Sequence, residues 1–428
     1  MTKKNAFSII VLIYFVIFLA VLYLTECSNT MIILRCVCLF MVLYCIYRGC
    51  HEQVFINPYW LFVLTPLSLL LYNENVSTYY LLKLDNYTWI LILLNIGGFL
   101  AGLEFDITLG SGSDSKKSDY GIRHSETDSG KLIKHAFILL VLGRMSIVYR
   151  LVFHSAMPLE SVFNLFAFCS LACALKSRNI VVIVASLIGN ISILMVVFGK
   201  TPLMFISVVT IVVFEKYYAK SKKQKIALIV ITAIFAAFMI LVAFPLKDYM
   251  SSGGELSGYI DSGNEAFFEL MGRRIEFSGP RVLRMPYMYL ISAWTNVQYI
   301  LQTQDTRTYG LWMIKPFLGY LQVDSFFNSQ YELIPNSAFN TFSFIGPLFK
   351  DFGYWGSCIG SFVLAIYTKW NYKRFLSSND ALVTTCYALV SMAVLEMFFS
   401  NHFLMLSYPV TIVIITYIYR YINKNINL

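Results

Sequence analysis

Charge is scarce in this chain. Asp, Glu, Lys and Arg make up 13% of its 428 residues, and hydrophobic residues make up 58%. A soluble domain carries about 25% charged residues, so this composition excludes an ordinary soluble protein. Several chemical signatures are missing too. There is no GxxxxGK[ST], no GxGxxG and no HExxH. Energy from ATP held by a known phosphate loop is thereby excluded. Gly199-Lys200-Thr201 lacks the upstream glycine of such a loop, and Asp351-Phe352-Gly353 lacks the rest of the kinase set. None of the nine cysteines lies between Pro245 and Asn340, which excludes a disulfide framework there. No CxxC or His-rich pairing points to a metal, and no cofactor is expected.

What the chain does have is a series of apolar runs. About 20 apolar residues cross a bilayer as a helix. Twelve such spans are expected, at 6–24, 31–47, 57–72, 87–103, 136–153, 161–175, 179–198, 203–214, 226–244, 342–368, 381–399 and 403–421. The first run has no small-residue cleavage site after it, so it is expected to remain as a span. The predicted fold class is an all-α polytopic membrane protein of about twelve transmembrane helices.

Lys and Arg gather on cytoplasmic loops. Lys3 and Lys4 place the N-terminus inside. Alternation then places Arg48, the 104–135 loop, Lys176 and Arg178, the 215–225 loop, 369–380 and the C-terminal tail inside as well. The net charge of +9 is mostly this inner-face bias. It implies attraction to anionic membrane lipid and requires no nucleic acid. Three regions follow: a membrane domain over 1–244, a long outer loop over 245–341, and the last three spans over 342–428.

Ionisable side chains inside a bilayer are costly and each needs a reason. Arg35, Arg144, Arg150, Lys200, Asp351, Glu396 and His402 fall in or beside spans, mostly in the expected outer half. Bland roles exist for them. Arg35 and Arg150 can reach headgroups, Arg144 can pair with Glu396, and Asp351 can cap a turn or pair with Lys350. Transporters place such charges nearer the midplane.

The long loop carries Arg273, Arg274, Arg281 and Arg284 against the usual charge bias. After them, 284–304 and 311–321 are apolar and aromatic, as in helices lying in the membrane interface. Arginine suits phosphate because its planar fork donates two hydrogen bonds at once. Tyr289, Trp294, Tyr299 and Trp312 suit either sugar stacking or interface anchoring. Gly356-Ser-Cys-Ile-Gly360 fits the small-residue pattern of helix packing.

Together these residues resemble a family. Asn336-Ser-Ala-Phe-Asn340-Thr341 followed by Asp351-Phe-Gly353-Tyr-Trp-Gly356 is similar to a segment of the bacterial O-antigen and oligosaccharide repeat-unit polymerases of the Wzy type. Tyr287-Met-Tyr-Leu290 with Gly310, and Phe198-Gly199-Lys200-Thr201, add to the likeness; the latter has Lys where the family pattern has Arg. The resemblance implies a GT-C-like helical fold. It also implies a metal-independent glycosyltransferase that joins undecaprenyl-pyrophosphate-linked oligosaccharides at the outer face of the inner membrane. A chain-length regulator of the polysaccharide co-polymerase type is the implied protein partner. On this reading Arg281 and Arg284 hold the pyrophosphate, supported by Arg273, Arg274 and Arg150. Asp351 is the first candidate base, with Glu276 and His402 behind it. Lys200 and Tyr289 are placed with the substrate. A lipid-linked oligosaccharide flippase, an O-antigen ligase and a sugar acyltransferase are the competing readings. The long loop weighs against the first, its lack of His against the second, and the lack of a suitable histidine against the third.

Overall fold

A computed structural model describes residues 18–19, 30–52, 54–72, 84–105, 126–154, 160–196, 200–219, 221–238, 284–303, 307–312, 343–400, 410–417 and 421. Among these residues the regular structure is entirely helical. The helices are α1 (Thr30–His51), α2 (Pro58–Phe62), α3 (Leu64–Leu70), α4 (Asn86–Glu104), α5 (Glu126–Phe153), α6 (Glu160–Ser177), α7 (Ile180–Val196), α8 (Lys200–Tyr217), α9 (Lys222–Phe238), α10 (Arg284–Thr303), α11 (Ile345–Ser377) and α12 (Ala381–Leu395). Residues 410–417 are also helical.

Among the described residues, α1, α4 and Ser129–Phe153 of α5 are each long and apolar enough to cross a membrane. Large apolar side chains such as Phe40, Phe137, Val181 and Ile234 are exposed on α1, α5, α7 and α9. Exposed apolar surface on this scale fits contact with lipid. By contrast, α4 is buried on nearly every side, as an all-apolar helix at a bundle centre should be.

Local chemistry sets several helix ends. Asn57 accepts from Tyr59 N and Trp60 N, and Pro58 opens α2 where no N–H is needed. Asp85 accepts from Thr88 N at the start of α4. Between α6 and α7, Arg178 takes φ 58, a left-handed position usually given to glycine. That conformation costs an L-residue about 1–2 kcal/mol.

Basic residues converge on one end of the bundle. Arg48 bridges Glu104 at 2.6 Å, and Tyr44 and Tyr59 donate to the same carboxylate. Lys369 Nζ donates to the Leu103 carbonyl at the C-terminus of α4. Lys216 donates to the carbonyls of Phe375 and Leu376, and Lys176 to that of Asn379. Lys369 and Lys216 thus satisfy orphan carbonyls of helix C-termini, while Lys176 ties down the loop between α11 and α12. Burial and the nearby Lys176 pull the Lys216 ammonium below its usual range. Burial pushes the Glu215 carboxyl up, against the N–H groups of Phe55 and Ile56 that donate to it. Each of these contacts joins segments that the charge bias assigns to the same side.

The largest departure from expectation is at 342–368, read from sequence as one span. Gly353 has φ 70 and ψ −160, and α11 turns sharply there. A Cβ on Gly360 would lie 2.9 Å from Leu348 Cδ2. Residues twelve apart in a straight helix are about 18 Å apart, so 345–352 folds back along 354–377. The first limb starts deep in the bundle. The Phe344 ring lies 6.2 Å from that of Phe62 and 6.3 Å from that of Phe99, and its N–H donates to Met397 O. The second limb runs parallel to α4: Tyr354 OH donates to Tyr87 O, Cys358 Sγ lies against Leu94 O, and Phe362 packs on Phe105. The segment is therefore two antiparallel helical limbs joined by a turn at Gly353.

The same geometry relocates the packing glycines. Gly98 and Gly102 of α4 bring the two backbones together, since a Cβ there would sit 2.9 Å from Cys358 O and 2.5 Å from Phe362 O. Gly360 instead makes room for Leu348 of its own helix.

Candidate functional site

A helix that stops at Gly353 leaves carbonyls without intrahelical donors. Three successive ones, on Phe349, Lys350 and Asp351, accept from the loop segment 307–309. Arg307 Nη1 donates to Phe349 O at 3.3 Å, Thr308 N to Lys350 O at 3.2 Å, and Tyr309 N to Asp351 O at 3.1 Å. The Asp351 side chain, with 0% exposure, completes the clamp. Its Oδ1 accepts from Thr308 Oγ1 at 2.5 Å and from Trp312 N at 2.9 Å.

Between those two anchors the chain makes a tight turn. Leu311 N donates to Thr308 O, and Tyr309 and Gly310 both have positive φ, 49 and 94. That is a turn of the I′ kind, which normally prefers Asn-Gly. A tyrosine held left-handed is strained, and the Tyr309 side chain stands 83% exposed. Beside it, the Arg307 guanidinium lies over the Phe349 ring at 4.4 Å. It fits there because Gly353 has no side chain: a Cβ would lie 3.1 Å from Arg307 Nε. Lys350, a buried residue, is close enough for its amino group to interact electrostatically with Arg307. The arrangement presents an arginine fork and an aromatic face from one rigid turn.

Helix α10 lies next to this turn and packs across the adjoining ends of α3 and α4. Tyr287 OH donates to Leu71 O, Trp294 Nε1 to Ser68 Oγ, and Gln298 Nε2 to Asp85 Oδ2; Tyr72 OH bonds to Thr295 Oγ1. Ile291 to Gln298 are all buried. A helix lying in the membrane interface was expected here; a helix is present, but its middle is buried against α3 and α4. Its Trp294, however, has 0% exposure, so it neither stacks on a sugar nor anchors in headgroups.

The other expected site residues divide. Arg284 and Tyr289 lie in the first two turns of α10, and Lys200 opens α8. Arg273, Arg274, Glu276, Arg281 and His402 lie outside the described residues, as do most of the first span and the ends of the last. Arg150 bridges Glu160 at 2.8 Å across the α5–α6 connection, and α5 packs chiefly on α6 and α7. It is not gathered with Asp351. Arg144 donates to Asn190 Oδ1 at 3.1 Å rather than pairing with Glu396. Glu396 caps the end of α12, next to Met397, whose carbonyl accepts from Phe344 N. Arg35 is exposed on α1, as a residue reaching headgroups would be.

Sequence reasoning missed Arg307 and Tyr309. One signal was available: Gly310 suits a left-handed turn position, and Arg307 lies three residues before it. Among the described residues no group of three His, Cys, Asp or Glu is placed to hold a metal ion. The chain matches no family model, and no match is found among curated proteins or solved structures.

Proposed function

We propose that this chain polymerises undecaprenyl-pyrophosphate-linked oligosaccharide repeat units into O-antigen or a related surface polysaccharide. The reaction takes place at the outer face of the bacterial inner membrane, in a GT-C-like fold of about twelve spans with both termini cytoplasmic. A chain-length regulator of the co-polymerase type works alongside it. One observation carries this reading furthest. The Asp351-Phe352-Gly353 motif, on which the family resemblance rests, clamps a loop turn that offers Arg307 and Tyr309 together. A phosphate-binding fork beside an exposed ring suits a glycan joined to a lipid pyrophosphate.

The chemistry is a single displacement. A hydroxyl oxygen at the non-reducing end of the incoming unit attacks the anomeric carbon of the growing glycan. The bond from that carbon to the pyrophosphate oxygen breaks, and undecaprenyl pyrophosphate leaves with the electron pair. The hydroxyl proton passes to a base, for which Glu276 and His402 are the remaining candidates. Arg281 and Arg284, with Arg273 and Arg274, stabilise the charge that grows on the leaving group. Arg307 joins them, and Arg150 drops out because Glu160 already neutralises it. Asp351 is a positioning residue, since its carboxylate is buried and holds the turn.

Alanine at Arg281 or Arg284 is expected to cut chain extension by about a hundredfold or more, while the protein still inserts in the membrane at normal levels. The polymer ladder on a gel and a membrane-fraction blot check this. A full-length ladder from both variants would remove the arginines from the mechanism.

A further inference from the structure

At the basic end of the bundle is a cleft of about 510 Å³, lined by Arg178, Ile183, Tyr217, Tyr218 and Gln224. Nothing in the proposed reaction uses it. Its one formal charge is Arg178, an exposed residue held at φ 58 where a glycine would carry no strain. Strain kept at such a position points to a use for the side chain. The guanidinium is also pre-positioned. Its carbon lies 5.2 Å from the centre of the Tyr218 ring, and Tyr218 OH is tied to Leu175 O at 2.5 Å. The second ring is fixed as well: Tyr217 OH bonds to Thr384 Oγ1 at 2.8 Å, and Lys176 Nζ lies 5.2 Å from its centre.

The surroundings are amphipathic in one direction. Ile183 lines the cleft, and on the same helix Ile180 and Val181 are 69% and 72% exposed. Polar and cationic groups thus stand at a helix end, with bare apolar surface running along α7 beside them. A soluble phosphate compound has no use for that apolar face, whereas a lipid covers both parts at once. Basic pockets between membrane helices take anionic headgroups in this way.

We propose that this cleft binds the phosphodiester headgroup of an anionic phospholipid, with Arg178 on the phosphate and an acyl chain along α7. The test is native mass spectrometry of the full-length chain, purified in detergent and offered phosphatidylglycerol or phosphatidylcholine. The wild-type chain should retain phosphatidylglycerol in preference to phosphatidylcholine. Arg178→Gly should lower that retention about fivefold, the effect of one basic residue at an anionic surface. Glycine suits the left-handed turn, so its thermal midpoint should equal or exceed that of the wild type. Arg178→Lys keeps the charge and loses the fork, and should fall between the two. It carries the comparison if the glycine variant proves less stable. Excess inorganic phosphate should leave the lipid bound. Equal retention by wild type and variants, or equal retention of the two lipids, would overturn the proposal. Displacement by inorganic phosphate would overturn it in favour of a soluble phosphate compound.

Discussion

Replacing Gly353 by alanine is expected to lower the thermal midpoint of the purified protein by several degrees and to abolish its activity. The backbone there, φ 70 and ψ −160, lies in a region open essentially to glycine alone. A residue forced into it costs about 1–3 kcal/mol. The second cost is steric, because the new Cβ would meet Arg307 Nε at 3.1 Å. Relief in either direction damages the same unit. If the backbone relaxes toward a helix, the carbonyls of Phe349, Lys350 and Asp351 are drawn back into the helical ladder and the 307–309 segment loses its acceptors. If Arg307 moves instead, it leaves the Phe349 ring. Gly102→Ala provides the contrast. It also crowds a backbone, at 2.5 Å from Phe362 O, yet its position within α4 is helical and lies away from the turn. It should cost stability with less loss of activity per degree. Equal thermal midpoints for Gly353→Ala and the wild type would mean that the chain does not turn at this residue.

The second large effect is expected at Asp351, where two substitutions separate two roles. Asp351→Ala removes the acceptor that Thr308 Oγ1 and Trp312 N share, and leaves Thr308 Oγ1 the longer contact to Lys350 O at 3.4 Å. Weakening such hydrogen bonds to a charged group costs about 1–3 kcal/mol, so the turn should loosen and activity should fall at least a hundredfold. Asp351→Asn keeps an oxygen at the Oδ1 position and the same shape. If Asp351 positions Arg307 and Tyr309, the asparagine variant retains most activity, and its pH profile matches the wild type. A base that must take up the hydroxyl proton predicts the opposite, since an amide accepts no proton near neutral pH. Loss of activity in Asp351→Asn at full stability would restore the base role expected from the sequence.

Much of the helical architecture was readable in the sequence, because apolar runs and charge bias are written residue by residue. The expected spans at 31–47, 87–103, 161–175 and 179–198 correspond to α1, α4, α6 and α7 within a few residues. The pairing of loops by side was readable for the same reason, and the contacts of Arg48, Lys176, Lys216 and Lys369 agree with it. The turn at Gly353 was harder to foresee, since a folded-back limb is as apolar as a straight continuation. The length of 342–368 was a warning: 27 residues make about 40 Å of helix, against a hydrocarbon core of about 30 Å. Gly346-Pro347 near one end and Gly353 inside the run were the local signs of a start and a break.

The site was less legible than the fold. Asp351 was singled out by its charge and motif, but its job depends on Thr308 and Trp312, about forty residues away in sequence. Trp294 was read as a sugar-stacking or interfacial aromatic because its segment is rich in Tyr and Trp. Nothing local announced that Ser68 would accept its indole N–H inside the bundle. Arg144 and Arg150 were legible as costly charges, while their partners Asn190 and Glu160 emerge only from the packing of α5 on α6 and α7.

The most direct test of polymerase function is the surface-glycan profile of a strain lacking this chain, with and without the chain restored. Without the chain the ladder should collapse to a single repeat unit on its core, and it should return on complementation. An unchanged ladder would contradict polymerase function. So would a ladder still held on its lipid carrier, which marks a ligase, or loss of even the single-unit band, which marks a flippase.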